Sequence, residues 1–163
     1  VYIGYVFDGP LRDAVHAMKY HRRRRMVEPL GNLLTEALDA SGLIADALLP
    51  IPMHKARLAE RGFNQAAELA AQLGTLCGMP VLHSMQRIRA TEQQAHLNSV
   101  QRVSNVQGAF LWDSQQPPPA RILLVDDVLT TGSTMNACAE ALRRAGAEHV
   151  YGLALARSRP DLG

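Results

Sequence analysis

Cysteine is scarce in this sequence: Cys77 and Cys138 are the only two among 163 residues. Two thiols so far apart exclude a disulfide framework and a zinc knuckle, and they make a reducing compartment, the cytoplasm, the expected location. Long hydrophobic runs are missing too. No apolar stretch approaches the ~20 residues that a bilayer requires, and the amino end lacks the charged-then-apolar order of a signal peptide, so no membrane partner is expected. Charge of one sign is also lacking: 17 Lys+Arg against 15 Asp+Glu leave +2, too little to mark a nucleic-acid binder by itself. No internal repeat is visible. Biased composition is confined to His21-Arg22-Arg23-Arg24-Arg25 and Gln115-Gln116-Pro117-Pro118-Pro119, which read as surface punctuation. What is present is 47% hydrophobic and 20% charged residues with scattered Gly and Pro, a balance that excludes disordered, collagen-like and coiled-coil chains. One compact soluble domain is expected, burying roughly 70% of the surface its unfolded chain exposes. The chain opens with Val1 rather than Met and so reads as a fragment.

Residues 1–7 are apolar and β-branched enough for a short strand, and Asp8-Gly9-Pro10 supplies a turn with proline near a helix start. Leu11, Ala14, Val15 and Met18 then keep to one helical face. A second helix is predicted over 29–40, with Leu30, Leu33, Leu34, Ala37 and Leu38 in one stripe and Ser41-Gly42 as its stop. Residues 47–52 form a short apolar run. Asn64 can cap a helix that turns Ala66, Leu69, Ala70, Leu73 and Leu76 inward, and Gly78 ends it. Strands are predicted over 81–88 and 108–112, joined by a polar stretch, 89–107, long enough to be a candidate lid. Ile122-Leu123-Leu124-Val125 is a continuous apolar strand of the kind buried on both faces of a parallel sheet. A helix over 133–145 follows it, Gly146 stops the helix, and 150–156 returns as a strand to complete a β-α-β unit. This alternation predicts an α/β fold with a mainly parallel central sheet flanked by helices. Residues 29–163 form its core, and 1–28 a small N-terminal hood standing apart.

The chemistry concentrates between the buried strand and its helix, in Asp126-Asp127-Val128-Leu129-Thr130-Thr131-Gly132-Ser133-Thr134. In open parallel sheets ligands bind beyond the carboxyl ends of strands, where this turn must sit. Thr130, Thr131, Gly132, Ser133 and Thr134 bring small hydroxyl residues and a glycine to a helix amino end, where backbone N–H groups and the helix dipole favour a phosphate. Asp126 and Asp127 would repel a bare phosphate. Their expected partner is a neutral polyol such as a ribose diol, with Mg²⁺ between carboxylate, hydroxyl and pyrophosphate oxygens. A Walker loop is excluded by the missing lysine, and a dinucleotide fingerprint by the missing glycine triplet. The plain alternative is that these residues only make turn and cap hydrogen bonds.

Leu124 through Thr134, read as Leu-Val-Asp-Asp-Val-Leu-Thr-Thr-Gly-Ser-Thr, resembles the phosphoribosyl-pyrophosphate (PRPP) signature of type I phosphoribosyltransferases. Nearly the whole chain resembles the ComF family of competence-associated phosphoribosyltransferase-like proteins, also called amidophosphoribosyltransferase-like. The further segments that carry the likeness are Lys19-Tyr20, Leu49-Pro50-Ile51-Pro52, Arg57, Arg61-Gly62-Phe63-Asn64-Gln65, Arg89-Ala90-Thr91, Gln94, Leu97, Arg102, Asn105-Val106 and Ala109-Phe110. The resemblance implies a type I phosphoribosyltransferase fold in which Asp126 and Asp127 hold the ribose hydroxyls and residues 130–134 the 5-phosphate. It also implies that the loop after the first core strand, 53–61, binds pyrophosphate. His54, Lys55, Arg57 and Arg61 supply the charge a departing pyrophosphate needs, and the arginine fork suits phosphate oxygens; the alternative is a solvated basic loop before a helix. The stretch 89–105 matches the family's flexible catalytic loop, with Arg89 and Arg102 as catalytic charge-neutralising residues beside Asp126 and Asp127; the alternative is a mobile surface loop.

Two functions remain open on this reading. One is a PRPP-dependent transferase that uses Mg²⁺, releases pyrophosphate and serves an unidentified acceptor. The other is a PRPP-sensing, nucleotide-sensing or single-stranded-DNA-binding accessory factor in natural transformation, in contact with competence machinery; a homodimer fits either. Arg22, Arg23, Arg24 and Arg25 are the DNA-contact candidates, against a solvated helix end. His16, His83, His96 and His149 share no metal-ligand spacing with Cys or carboxylates, and no protein-bound metal is predicted. Cys138 reads as core filler. ComF members usually carry a cysteine-rich zinc ribbon ahead of this domain, whereas no cysteine here precedes Cys77.

Overall fold

The computed structural model of the protein describes residues 1–20, 24–89 and 108–158. Its strands there are β1 (Tyr2–Val6), β2 (Ala47–Pro50), β3 (Met85–Arg87), β4 (Phe110–Trp112), β5 (Arg121–Leu129) and β6 (His149–Arg157). Its helices are α1 (Gly9–Tyr20), α2 (Val27–Ser41), α3 (Lys55–Arg61), α4 (Gln65–Cys77) and α5 (Ser133–Arg144). Four strands form a parallel sheet in the order β1-β6-β5-β2, and β3 and β4 form a separate antiparallel ribbon.

Alternation along β5 explains why the sheet lies between two helical layers. Ile122 and Leu124 join a cluster with Met135, Cys138 and Leu142 of α5 and with Phe110 of β4. Leu123 and Val125 point the other way, among Leu30 and Leu34 of α2 and Leu69 and Leu73 of α4. All four strand residues are fully buried. A strand apolar at every position is the solution for a sheet covered on both faces, because successive side chains serve opposite layers. The predicted α/β architecture is the observed one. No helix among the described residues is long and apolar enough to cross a membrane.

Several expectations need correction. The hood does not stand apart: β1 pairs with β6 as an edge strand of the main sheet, and Val15 and Met18 of α1 are fully buried against α2. Its apolar face found a partner in the core, which sequence periodicity cannot name. Leu76 is 47% exposed rather than inward, since α4 turns Gly74 toward the sheet instead. The strand expected over 81–88 shrinks to β3 plus an isolated bridge between Val81 and Leu48. Basic residues 53–61 are not wholly a loop, because α3 occupies 55–61. The candidate lid lies, from residue 90 to 107, outside the described residues.

The register of β2 on β5 is anchored at its start by Asp46 and Arg121. Asp46 N–H donates to the Arg121 carbonyl at 2.8 Å, Arg121 N–H donates to Asp46 Oδ2 at 2.9 Å, and the guanidinium reaches Oδ1 at 2.5 Å. Those hydrogen bonds from Arg121 hold the Asp46 carboxyl below the usual carboxylate range. A group whose folded pKa is depressed adds stability above its unfolded pKa, about 3.9, and loses it as pH falls through the folded value. Asp46→Asn is therefore expected to melt below the wild type at neutral pH, with the gap closing as pH drops beneath about 3.9. Thermal melts across pH check this, and a gap that persists unchanged in acid refutes it.

Candidate functional site

The carboxyl ends of β2 and β5 lie side by side: Pro50 is in register with Val125, and Ile51 N–H donates to the Val125 carbonyl at 2.9 Å. From there the chain departs in opposite directions, β2 toward α4 on one layer and β5 into α5 on the other. Such a divergence opens a crevice past the strand ends. A cavity of about 380 Å³ occupies it.

Asp126 and Asp127 both line this cavity but not as the start of a turn, because β5 continues through them to Leu129. Each carboxylate satisfies the next backbone N–H: Asp126 Oδ1 accepts from Asp127 at 2.9 Å, and Asp127 Oδ1 from Val128 at 2.8 Å. Past the pair the face alternation reverses, Val128 packing with the α2–α4 cluster and Leu129 with the α5 cluster. Asp127 is 9% exposed, an uncommon burial for a carboxylate.

The turn itself is short, residues 130–132, and Thr130, Gly132, Ser133 and Thr134 also line the cavity. Gly132 caps α5 at φ +79°, a left-handed conformation that suits glycine, and offers no side-chain oxygen to the first-turn N–H groups. That is the arrangement an anion at a helix amino end needs. Thr131 is not in the lining; its hydroxyl lies 2.8 Å from that of Ser133.

Arginines complete the lining. Arg57 and Arg61 line the cavity, whereas Lys55 is exposed outside it and His54 is spent on α3, its Nδ1 accepting from Ala56 N–H at 3.3 Å. Arg89 is exposed and outside the lining, and Arg22, Arg23 and Arg102 lie outside the described residues. Arg87, which the sequence reading did not single out, lines the cavity as well. It shares the inward face of β3 with buried Met85, and its guanidinium sits 5.5 Å over the Phe110 ring. Burial first, then Arg57, lowers its pKa, while Asp126 opposes the shift. Cys138 itself is buried core, its pKa pushed well up by desolvation.

Two further residues come from the amino-terminal segment. Phe7 and His16, whose rings stack at 5.8 Å between centroids, line the same cavity. Period two along β3 was the available signal for Arg87; for Phe7 and His16 only the sheet pairing of β1 could have revealed it. The described residues hold no group of three or more His, Cys, Asp or Glu suited to a metal. Adjacent carboxylates alone fit a Mg²⁺ ion that shares its coordination with ligand phosphates and water.

Fold and site together define a domain of the phosphoribosyltransferase type. The glutamine PRPP amidotransferase of Bacillus subtilis, solved with ADP and GMP, superposes with a TM-score of 0.54 at 18% identity, covering 79% of this chain and 26% of that longer one. At that identity the likeness speaks for the fold. A family model described as phosphoribosyl transferase domain matches residues 58–161. Competence protein F of Haemophilus influenzae is 32% identical over 97% of this chain and 72% of its own length. DNA utilization protein YhgH of Escherichia coli strain K12 is 34% identical over 91% of this chain and 68% of its own. The chain belongs to the ComF family and carries a type I phosphoribosyltransferase domain.

Gly132 gives a direct test of the loop. A β-carbon there would meet only Leu129 Cδ1 at 3.9 Å, so backbone conformation and not crowding makes the demand. Gly132→Ala is expected to cost about 1 kcal/mol or more in urea unfolding. An unchanged midpoint would show that the loop does not hold its left-handed turn.

Proposed function

We propose that this protein binds Mg²⁺-PRPP in the crevice and transfers its 5-phosphoribosyl group to an acceptor, with release of pyrophosphate. The observation that carries this reading is one cavity bounded by an acid pair, a helix amino end and Arg57, Arg61 and Arg87. Asp126 and Asp127 grip the ribose diol, and Thr130, Ser133, Thr134 and the N–H groups behind Gly132 receive the 5-phosphate. The three arginines take the pyrophosphate, with Lys55 adding charge at the approach and His54, whose Nδ1 caps α3, offering its Nε2–H. Arg89 and Arg102 keep the charge-neutralising role that family resemblance assigns them. When bound, Mg²⁺ screens the phosphate oxygens from the two acids, which would hold it jointly with PRPP.

In the transfer, the bond from ribose C1 to the pyrophosphate oxygen breaks with its electron pair leaving on pyrophosphate. The acceptor's lone pair forms the new bond at C1, and the acceptor's proton passes to solvent. The transition state has oxocarbenium character, so positioning and stabilisation of the leaving anion supply the acceleration, with no covalent nucleophile. Phe7 and His16 place the segment 1–28 where it can select the acceptor. Asp126→Asn with Asp127→Asn is expected to weaken Mg²⁺-PRPP binding at least about tenfold by calorimetry, since each ionised hydrogen-bond acceptor contributes about 1.5–3 kcal/mol. Unchanged affinity refutes the assignment.

The names of the relatives, competence protein and DNA utilization protein, support a second reading: an accessory factor in DNA uptake that binds PRPP or single-stranded DNA without turnover. Binding of an oligonucleotide should then weaken steeply with salt, and replacing Arg22, Arg23, Arg24 and Arg25 by Ala should lower the log–log slope by about 0.7 for each phosphate that these arginines neutralise. PRPP-dependent pyrophosphate release in a panel of nucleobases and amines decides for the transferase instead.

A further inference from the structure

Two polar or charged side chains among the described residues are buried, Asp127 and Gln65, and both line the crevice. Asp127 belongs to the acid pair. Gln65 belongs to nothing yet assigned. It is the first residue of α4 and is 2% exposed. The helix does not need it as a cap: Asn64 does that work, its Oδ1 accepting from Ala66 N–H at 3.1 Å while its Nδ2 donates to the Ile51 carbonyl at 3.0 Å. A leucine or methionine would fill similar volume without burying an amide.

The amide has one partner that explains it. Arg61 Nη1, in the last turn of α3, donates to Gln65 Oε1 at 3.1 Å. A guanidinium has donors only, so the carbonyl must face Arg61 and the amide cannot be flipped. Its Nε2 is consequently directed elsewhere, into a buried position with no hydrogen-bond partner among the described residues. A fold seldom leaves such a donor unanswered unless the other end of the same group is needed. The helix bearing Arg61 has no buried residue, so a buried carbonyl fixes a guanidinium that rides on a surface element.

We propose that Gln65 is a positioning residue that holds Arg61 in the orientation that grips pyrophosphate; this rests on the transferase reading above. Fixing the fork before the ligand arrives removes ordering that binding would otherwise impose. The test is a double-mutant cycle on the intact protein, titrating Mg²⁺ with inorganic pyrophosphate and, separately, with PRPP. Gln65→Leu is expected to lose about tenfold in pyrophosphate affinity while melting at or above the wild-type temperature. In an Arg61→Ala background the same change is expected to lose nothing further. Independent, multiplying losses overturn the proposal, as does wild-type affinity in Gln65→Leu. If neither Gln65→Leu nor Gln65→Met melts cooperatively, the amide is structural and the proposal fails. Absence of binding by the wild type sinks the transferase reading along with it, whereas a wild type that binds and a Gln65→Leu that binds equally sink this inference alone.

Discussion

The parallel pairing of β2 with β5 is the constraint from which the rest of the molecule follows. Two strands that run the same way bring their carboxyl ends to one edge, and because their successor helices cover opposite faces, nothing of the sheet closes over that edge. Ile51 N–H on the Val125 carbonyl sets the last rung, so that residues after β2 and residues around the acid pair face one space. The Asp46–Arg121 clamp at the far end of the same pair keeps this rung from slipping. A slip of one residue would turn Leu123 and Leu124 to the wrong layers and carry the acids with them.

Charge in the crevice is concentrated rather than abundant. A net +2 over the chain conceals three arginines and two adjacent acids in the lining of one cavity. Arg87 shows the balance most clearly: burial and Arg57 work against its charge, and Asp126 supports it. Acids alone would reject an anion, and arginines alone would take any anion. Together they suit the ligand proposed above, a sugar bearing phosphate and pyrophosphate.

Much of this was legible in the residues. The run Ile122-Leu123-Leu124-Val125 marked a strand buried on both faces, Asn64 marked a cap, and the small residues 130–134 marked a helix amino end. Legibility failed where one element's neighbour decided the outcome. Arg89 and Arg87 are equally basic in the sequence, yet β3 turned the second inward with Met85 and left the first exposed. Nothing in the sequence shows that a ring nitrogen of His54 also caps α3. Gln65 carries no charge and follows no motif of catalysis, and only the approach of Arg61 gives its burial a reason.

Sequence alone determined the alternation of strands and helices, the acid pair and the hydroxyl-rich turn, because each rests on local periodicity or on residues adjacent in the chain. Tertiary structure decided which cations join the acids, that the segment 1–28 enters the sheet through β1 and lends Phe7 and His16 to the cavity, and that a buried amide stands behind Arg61. The physical reason is distance along the chain: those contacts unite residues far apart in order, and the pairing and packing that bring them together leave no local trace.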